Sequence, residues 1–302
     1  MASATPSWEA LPETPVFGAT QFTGRTRLAQ NLLTRCLRRQ PILLYGGPKL
    51  GKTSMLLQIK WLVDQNPGTS AATRAAVYLD LTDDLARKQL LSGRLANPAP
   101  ILLLDNCDHL LHDNSVDTLR EVIKSEVLAH AIVWAGARPW HDFVVKEIGT
   151  ADLRRAPLAV LLQGEARELL KPHLTPNQVT AALAAGGTHP YVLKIIAHAL
   201  LSCAGDVGRA IQIASERLIP FFQACREALR HAAEQALLQY LVQEARPINP
   251  RDAGRAVGLP TIKSAADALC GLGVISRWNL NEGAMLQANC RLFNDWYRVA
   301  AR

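Results

Sequence analysis

Several things are missing from this chain, and each absence narrows what it can be. Its six cysteines, Cys36, Cys107, Cys203, Cys225, Cys270 and Cys290, are scattered with no close pair. That spacing builds neither a zinc site nor a disulfide framework, and a reducing cytosol is the expected setting. No apolar run approaches the roughly 20 residues of a membrane-spanning helix, so no membrane partner is expected. The opening "MASATPSWEALPETP" holds three prolines and lacks the basic-then-apolar order of a signal or transit peptide. The expected localisation is cytoplasmic. No internal repeat or low-complexity tract is visible.

What is present fits a globular protein. The 302 residues are 49% hydrophobic, enough for a sizeable core in two or three units. Against 26 Asp and Glu stand 33 Lys and Arg, a formal charge of +7. That excess favours acidic partners without demanding them, so nucleotides, nucleic acid and acidic proteins all stay open.

The first half alternates short apolar runs with helical patterns. "PILLY" (41–45), "AAVYLDL" (75–81), "PILLLD" (100–105) and "AIVWAG" (131–136) read as buried parallel strands. A weaker fifth strand is predicted in "LAVLL", 158–162. Between them, "KTSMLLQIKWLVDQ" is helical and stops at Asn66-Pro67-Gly68, while "SVDTLREVIKSEVL" is a helix capped by Ser115 with Asp117 in its first turn. Alternating strand and helix implies an α/β fold with a parallel sheet covered on both faces. From about Glu165 the chain turns Ala- and Leu-rich and helical, with breaks at "AAGGTHP" (184–190) and "RLIPFF" (217–222). The last seventy or so residues give helix, short helix, helix and a strand pair, the order of a winged helix. The predicted organisation is an extended segment 1–20, a P-loop nucleoside triphosphatase domain 21–163, a helical lid 164–230 and a winged helix 231–302.

The stretch "LYGGPKLGKTSML" carries the chemistry. Gly46, Gly51, Lys52 and Thr53 satisfy G-x-x-x-x-G-K-[ST] between an apolar strand and a helix, the context that this motif requires. Its glycines let successive amides face phosphate, and the helix N-terminus adds partial positive charge. The expected nucleotide-binding run is Gly46, Gly47, Pro48, Lys49, Leu50, Gly51, Lys52, Thr53 and Ser54. The expected ligand is ATP or ADP with Mg²⁺, with Lys52 at the β-phosphate and, in ATP, the γ-phosphate, and the Thr53 hydroxyl on Mg²⁺. Asp105, closing "ILLLD", is the second metal-site residue. Where many such enzymes place a Glu to polarise water, this chain has Asn106, an amide with no proton-accepting charge at neutral pH. Asp108 is the nearest carboxylate, either a catalytic group or a cap or turn residue. Nucleotide binding is therefore expected, with weak or absent ATPase activity.

These motifs together resemble those of bacterial signal-transduction ATPases with numerous domains, the STAND class. "TPVFGATQFTGRTRLAQNLL" is similar to the family's opening segment, with Phe22, Gly24 and Arg25 matching its F-x-G-R box. "IVWAGARPW" resembles its fourth strand, which implies a γ-phosphate sensor role for Arg138; on the residue alone, Arg138 reads equally as a surface arginine. "AAGGTHPYVLKII" resembles a helical element whose proline packs near adenine, which implies nucleotide contacts for His189 and Pro190; Phe22 joins the implied binding set. "CRLFNDWYRVAAR" resembles the family's ending, while Phe293, Trp296 and Tyr297 also read as winged-helix core, and Trp134 and Trp140 as packing residues. The family also differs: its P-loop basic pair is here Pro48-Lys49, and Thr188 replaces a glycine.

The resemblance implies a nucleotide-operated switch in signalling or antiphage conflict systems, trimmed and catalytically weakened, with effector or sensor proteins acting in trans and a nucleotide-dependent oligomer. Without effector or sensor domains, the chain is either a fragment or served by partners. The alternative is a DNA-handling ATPase of the origin-recognition or transposition-regulator type, whose winged helix would read duplex DNA. That alternative is disfavoured because the expected recognition helix, "TIKSAADALCGLG", offers Lys263 and little else to contact phosphates or bases.

Overall fold

The computed structural model describes residues 14–19, 21–65, 75–92, 101–113, 115–129, 131–147, 153–280 and 283–300. The expected stop at 66–68 and residues 1–13 and 20 of the expected N-terminal segment lie outside the described residues. Two compact units divide the chain: Thr14–Gly46 with Gly51–Leu158, and Gly47–Leu50 with Ala159–Arg302.

The first unit is a five-stranded parallel sheet with helices. In chain order it holds α1 (Thr26–Leu37), β1 (Ile42–Tyr45), α2 (Lys52–Asp64), β2 (Ala76–Asp80), α3 (Asp84–Leu91), β3 (Ile101–Asp105), α4 (Leu110–Asp113), α5 (Val116–Ala129), β4 (Ala131–Gly136), α6 (Arg138–Glu147) and β5 (Arg154–Pro157). The strands lie in the order β2-β3-β4-β1-β5. β3 and β4 are buried from end to end, as central strands covered on both faces must be. Trp134 and Trp140 are core residues with ring centroids 5.6 Å apart. The α5 cap forms as expected, with the Thr118 N–H donating to Ser115 Oγ at 3.2 Å.

The fifth strand differs from expectation. β5 is the polar Arg154–Pro157 and not 158–162, and it pairs with β1 from Ile42↔Arg154 to Tyr45↔Pro157. It is an edge strand on which only Ala156 is buried, so it needs no apolar run, and hydrophobic patterning pointed four residues too far along.

The second unit is helical and ends in three helices, a β-hairpin and a last helix. It comprises α7 (Gln163–Leu170), α8 (Pro176–Gly186), α9 (Pro190–Ser202), α10 (Val207–Glu227), α11 (Ala232–Glu244), α12 (Pro250–Ala256), α13 (Lys263–Leu272), β6 (Ile275–Leu280), β7 (Gly283–Ala288) and α14 (Arg291–Ala300). α8 opens with a capping box, Thr175 and Gln178 exchanging bonds ahead of Pro176. The antiparallel β6–β7 pair gains a third edge where Ile248 and Leu286 exchange backbone bonds at 2.8 Å in both directions. α11, α12, α13 and this hairpin follow one another in the order expected of a winged helix.

The expected break at 217–222 does not occur, since α10 runs through Pro220. Pro220 lies on the exposed side of the helix, where the Glu216 carbonyl left without its N–H can be hydrated. Leu218 and Phe222 meanwhile hold the helix by burial. Phe293 and Tyr297 are buried and Trp296 partly so; Phe222 meets the Phe293 and Trp296 rings at 5.4 and 5.8 Å, which joins α14 to α10. Among the described residues no helix is long and apolar enough to cross a membrane.

Candidate functional site

β1 ends at Tyr45 and α2 begins at Lys52, so the loop between them lies at the C-terminal edge of the sheet, where open α/β sheets bind ligands. Two of its residues, Lys49 at φ 57° and Gly51 at φ 92°, take the left-handed conformation, the kind of backbone that turns neighbouring amides toward one concave side. A side chain at Gly51 would be strained by that φ and would place its Cβ 3.4 Å from Arg25 Nη1. Lys52 donates from Nζ to the Gly46 carbonyl at 2.9 Å. Burial pulls its ammonium below the ordinary lysine range, against the opposing pull of the Asp108 and Asp105 charges. Thr53 and Ser54 stand half-buried in the first turn of α2, and Ser54 Oγ accepts the Val16 N–H at 3.1 Å.

Three carboxylates follow from the strand ends. Asp105 is fully buried, and a buried carboxylate needs partners. It accepts from Tyr78 Oη at 3.0 Å and from the Asn106 N–H at 2.9 Å. Burial first, then the Asp105 charge and hydrogen bond, push the Tyr78 phenol far above its ordinary range, so it stays a donor. Asp108 caps α6: the Ala137 N–H donates to Oδ2 at 2.7 Å and the Trp140 N–H to Oδ1 at 3.2 Å. Asp80, at the end of β2, is the third. Its Oδ1 accepts from Asn106 Nδ2 at 2.9 Å, the Thr82 N–H at 3.0 Å and Thr82 Oγ1 at 2.9 Å. Burial works to raise this carboxyl, but those bonds, with His109 nearby, outweigh it and hold it below the usual carboxylate range.

Arg138 opens α6 with Nε 3.5 Å from Asp142 Oδ2. Phe22 is 8% exposed, beside a turn in which its N–H donates to the Gly18 carbonyl at 3.2 Å. Within the helical unit, the Gly47 N–H donates to the Gly271 carbonyl at 2.6 Å, and a Cβ on Gly47 would fall 2.5 Å from the Leu272 carbonyl oxygen. Lys49 Nζ lies 5.5 Å over the Tyr191 ring. His189 is buried at the start of α9 with its ring 4.9 Å from Phe221, and Pro190 is the first residue of that helix. Pro48 and Leu50 also belong to this unit, with Leu50 fully buried.

Sequence reasoning missed Asp80, Tyr78 and a site role for Arg25. A signal for Asp80 existed: "AVYLD" and "ILLLD" both close a strand with Asp, and the two align in register, Asp80 opposite Asp105. Asn289 was missed as well. It accepts from Ser276 Oγ at 2.9 Å and Thr188 Oγ1 at 3.5 Å, tying the β6–β7 hairpin to the chain before α9, a use for the threonine found where the family has glycine.

The donor set fits a nucleoside phosphate with Mg²⁺. Among the described residues no group of three or more His, Cys, Asp or Glu is placed to hold a metal ion. Mg²⁺ needs no such cage, since it takes one or two protein oxygens together with substrate phosphates and water. Thr53 and Asp105 offer oxygens of that kind. The left-handed loop and Lys52 offer the anion-binding half.

No protein-family model matches the sequence, and no curated protein matches it. Among solved structures, a Walker-type ATPase of Pyrococcus abyssi is similar over 96% of this chain and 99% of its own, with a TM-score of 0.61 at 14% identity. A RuvB variant of Thermotoga maritima aligns over 96% of this chain and 99% of its own, with a TM-score of 0.48 at 13% identity. Domain III of the Thermotoga maritima replication initiation protein DnaA covers 68% of this chain and 94% of its own, with a TM-score of 0.46 at 18% identity. The first likeness establishes the fold: a P-loop parallel sheet followed by a helical part.

Proposed function

We propose that this chain binds ATP or ADP with Mg²⁺ and works as a slow nucleotide-operated switch of the STAND kind. The observation that carries the nucleotide half is the loop after β1, where a left-handed Gly51 precedes a partly buried Lys52 at the start of α2. Gly46 to Ser54 would hold the phosphates, and Thr53 and Asp105 the Mg²⁺, which when bound supplies charge stabilisation to the phosphoryl group. Arg138 would sense the γ-phosphate, and Phe22, His189 and Pro190 would lie toward the base.

The switch half rests on the motifs that resemble the STAND class, Phe22, Gly24 and Arg25 ahead of the loop and His189-Pro190 at the start of α9. Binding that favours one arrangement over another shifts the population between them. Hydrolysis is expected far below the roughly 1–10³ per second of typical enzymes, because Asn106 stands where a water-polarising Glu is expected. A trigger and an output in partner proteins, in bacterial signalling or antiphage defence, complete the proposal. The DNA-reading alternative gains nothing from α13, whose exposed positions are Lys263, Ser264 and Asp267, the last paired with Arg277 at 2.9 Å.

Calorimetric titration of Mg²⁺-ADP and a non-hydrolysable ATP analogue tests the site. Charge-assisted hydrogen bonds are each worth about 1.5–3 kcal/mol, so Lys52→Ala should weaken binding by about 10- to 150-fold with the melting temperature of the free protein retained. Undiminished affinity would refute the assignment.

A further inference from the structure

The carboxylate absent from position 106 stands one hydrogen bond away. Asp80 ends β2 opposite Asp105 in parallel register, so the two carboxylates close neighbouring strands at the same sheet edge. Asn106, held left-handed at φ 55° and ψ 40°, donates from Nδ2 to Asp80 Oδ1 at 2.9 Å. Of the three carboxylates at this edge, two are fully engaged: Asp105 uses one oxygen for Tyr78 and the other for the Asn106 N–H, and Asp108 uses both on backbone amides of the α6 terminus. Asp80 is different. All three of its donors, Asn106 Nδ2, the Thr82 N–H and Thr82 Oγ1, converge on Oδ1, and Oδ2 has no bond among the described residues.

We propose that Asp80 supplies the carboxylate that holds and deprotonates the attacking water during nucleoside triphosphate hydrolysis, with Asn106 as its positioning residue. The assignment rests on the nucleotide reading above and adds the base which that reading lacks. The water oxygen forms a bond to the γ-phosphorus as the bridging P–O bond breaks. The bridging oxygen leaves with its electron pair on the nucleoside diphosphate. One water proton passes to Asp80 Oδ2 and on to solvent, and the other stays on the released phosphate. Three donors fix the carboxylate through Oδ1, so its remaining oxygen is presented in one orientation. The residue after β3 thereby contributes the amide and the end of β2 the acid.

The test is single-turnover hydrolysis of Mg²⁺-ATP by the full chain, with Mg²⁺-ADP affinity and melting temperature measured on the same preparations. Asp80→Asn should slow phosphate release at least tenfold and leave ADP affinity within about twofold. Exchanging the pair, Asp80→Asn with Asn106→Asp, keeps one acid and one amide and should regain at least fivefold over the single variant. That exchange also decides the matter if the single variant melts early, because failure to regain rate in a folded double variant overturns the assignment. An unchanged rate in Asp80→Asn overturns it too, while leaving nucleotide binding intact. So does a wild-type chain that binds Mg²⁺-ATP yet releases no phosphate over hours. Only a wild-type chain that binds no nucleotide would remove the underlying reading.

Discussion

The two units solve opposite problems. In the sheet unit β2 and β3 run largely apolar to a closing aspartate, and the polar groups then gather at one edge: Asp80, Asp105, Asn106 and Asp108 share bonds with Tyr78, Thr82 and the start of α6. In the helical unit one apolar core runs from Leu161 to Tyr297, and a chain of rings, Tyr191, Phe221, Phe222, Phe293 and Tyr297, crosses it. The lesson is a division of labour. Polar bonds at a strand edge can be tuned one at a time without dissolving the apolar interior behind them, whereas an interlocked core transmits any lost volume to its neighbours.

The strongest way to break this comparison is Phe222→Ala. Phe222 is 1% exposed and touches rings on α14, so its removal should cost about 3–5 kcal/mol in urea unfolding. A loss under about 1 kcal/mol would mean that the helical core is loosely packed. Next is Asp108→Ala, which leaves the Ala137 and Trp140 amides without their acceptor and should cost about 1–2 kcal/mol. Asp108→Asn keeps an acceptor and should cost less. Were Asp108 the base and not a cap, the Asn variant would instead abolish hydrolysis with stability unchanged, the pattern expected here of Asp80→Asn.

A smaller effect sharpens the contrast through pH. Burial depresses the Lys52 ammonium below the ordinary lysine value of 10.5. Between that depressed value and 10.5 the unfolded chain binds more protons than the folded one, so stability of the nucleotide-free protein rises with pH across that window. Phosphate binding needs the ammonium, so nucleotide affinity should fall over the same window. Melting curves with and without Mg²⁺-ADP from pH 7 to 10 should therefore diverge in sign, and Lys52→Ala should remove its share of the rise. Parallel trends in both conditions would place Lys52 outside the phosphate site.

The sequence by itself determined four of the five strands, β1 to β4, the loop between β1 and α2, and the helices on either side, because buried strands and amphipathic helices write their periods into the chain. It also marked Lys52, Thr53 and Asp105, whose meaning comes from fixed spacing between a strand and a helix. Only the tertiary structure decided the rest. β5 is held by a ladder to β1 and not by apolar residues, so its polar Arg154-Arg155 start left no pattern to read. Pro220 sits inside α10 because burial of Leu218 and Phe222 outweighs one lost backbone bond. Asp108 caps a helix that begins thirty residues later, and Asp80 meets Asn106 from the end of a neighbouring strand, 26 positions away in the chain. Local spacing encodes what neighbouring residues do to one another; contacts between distant strand ends exist only once sheet order and register have been set, and those depend on the packing of the whole unit.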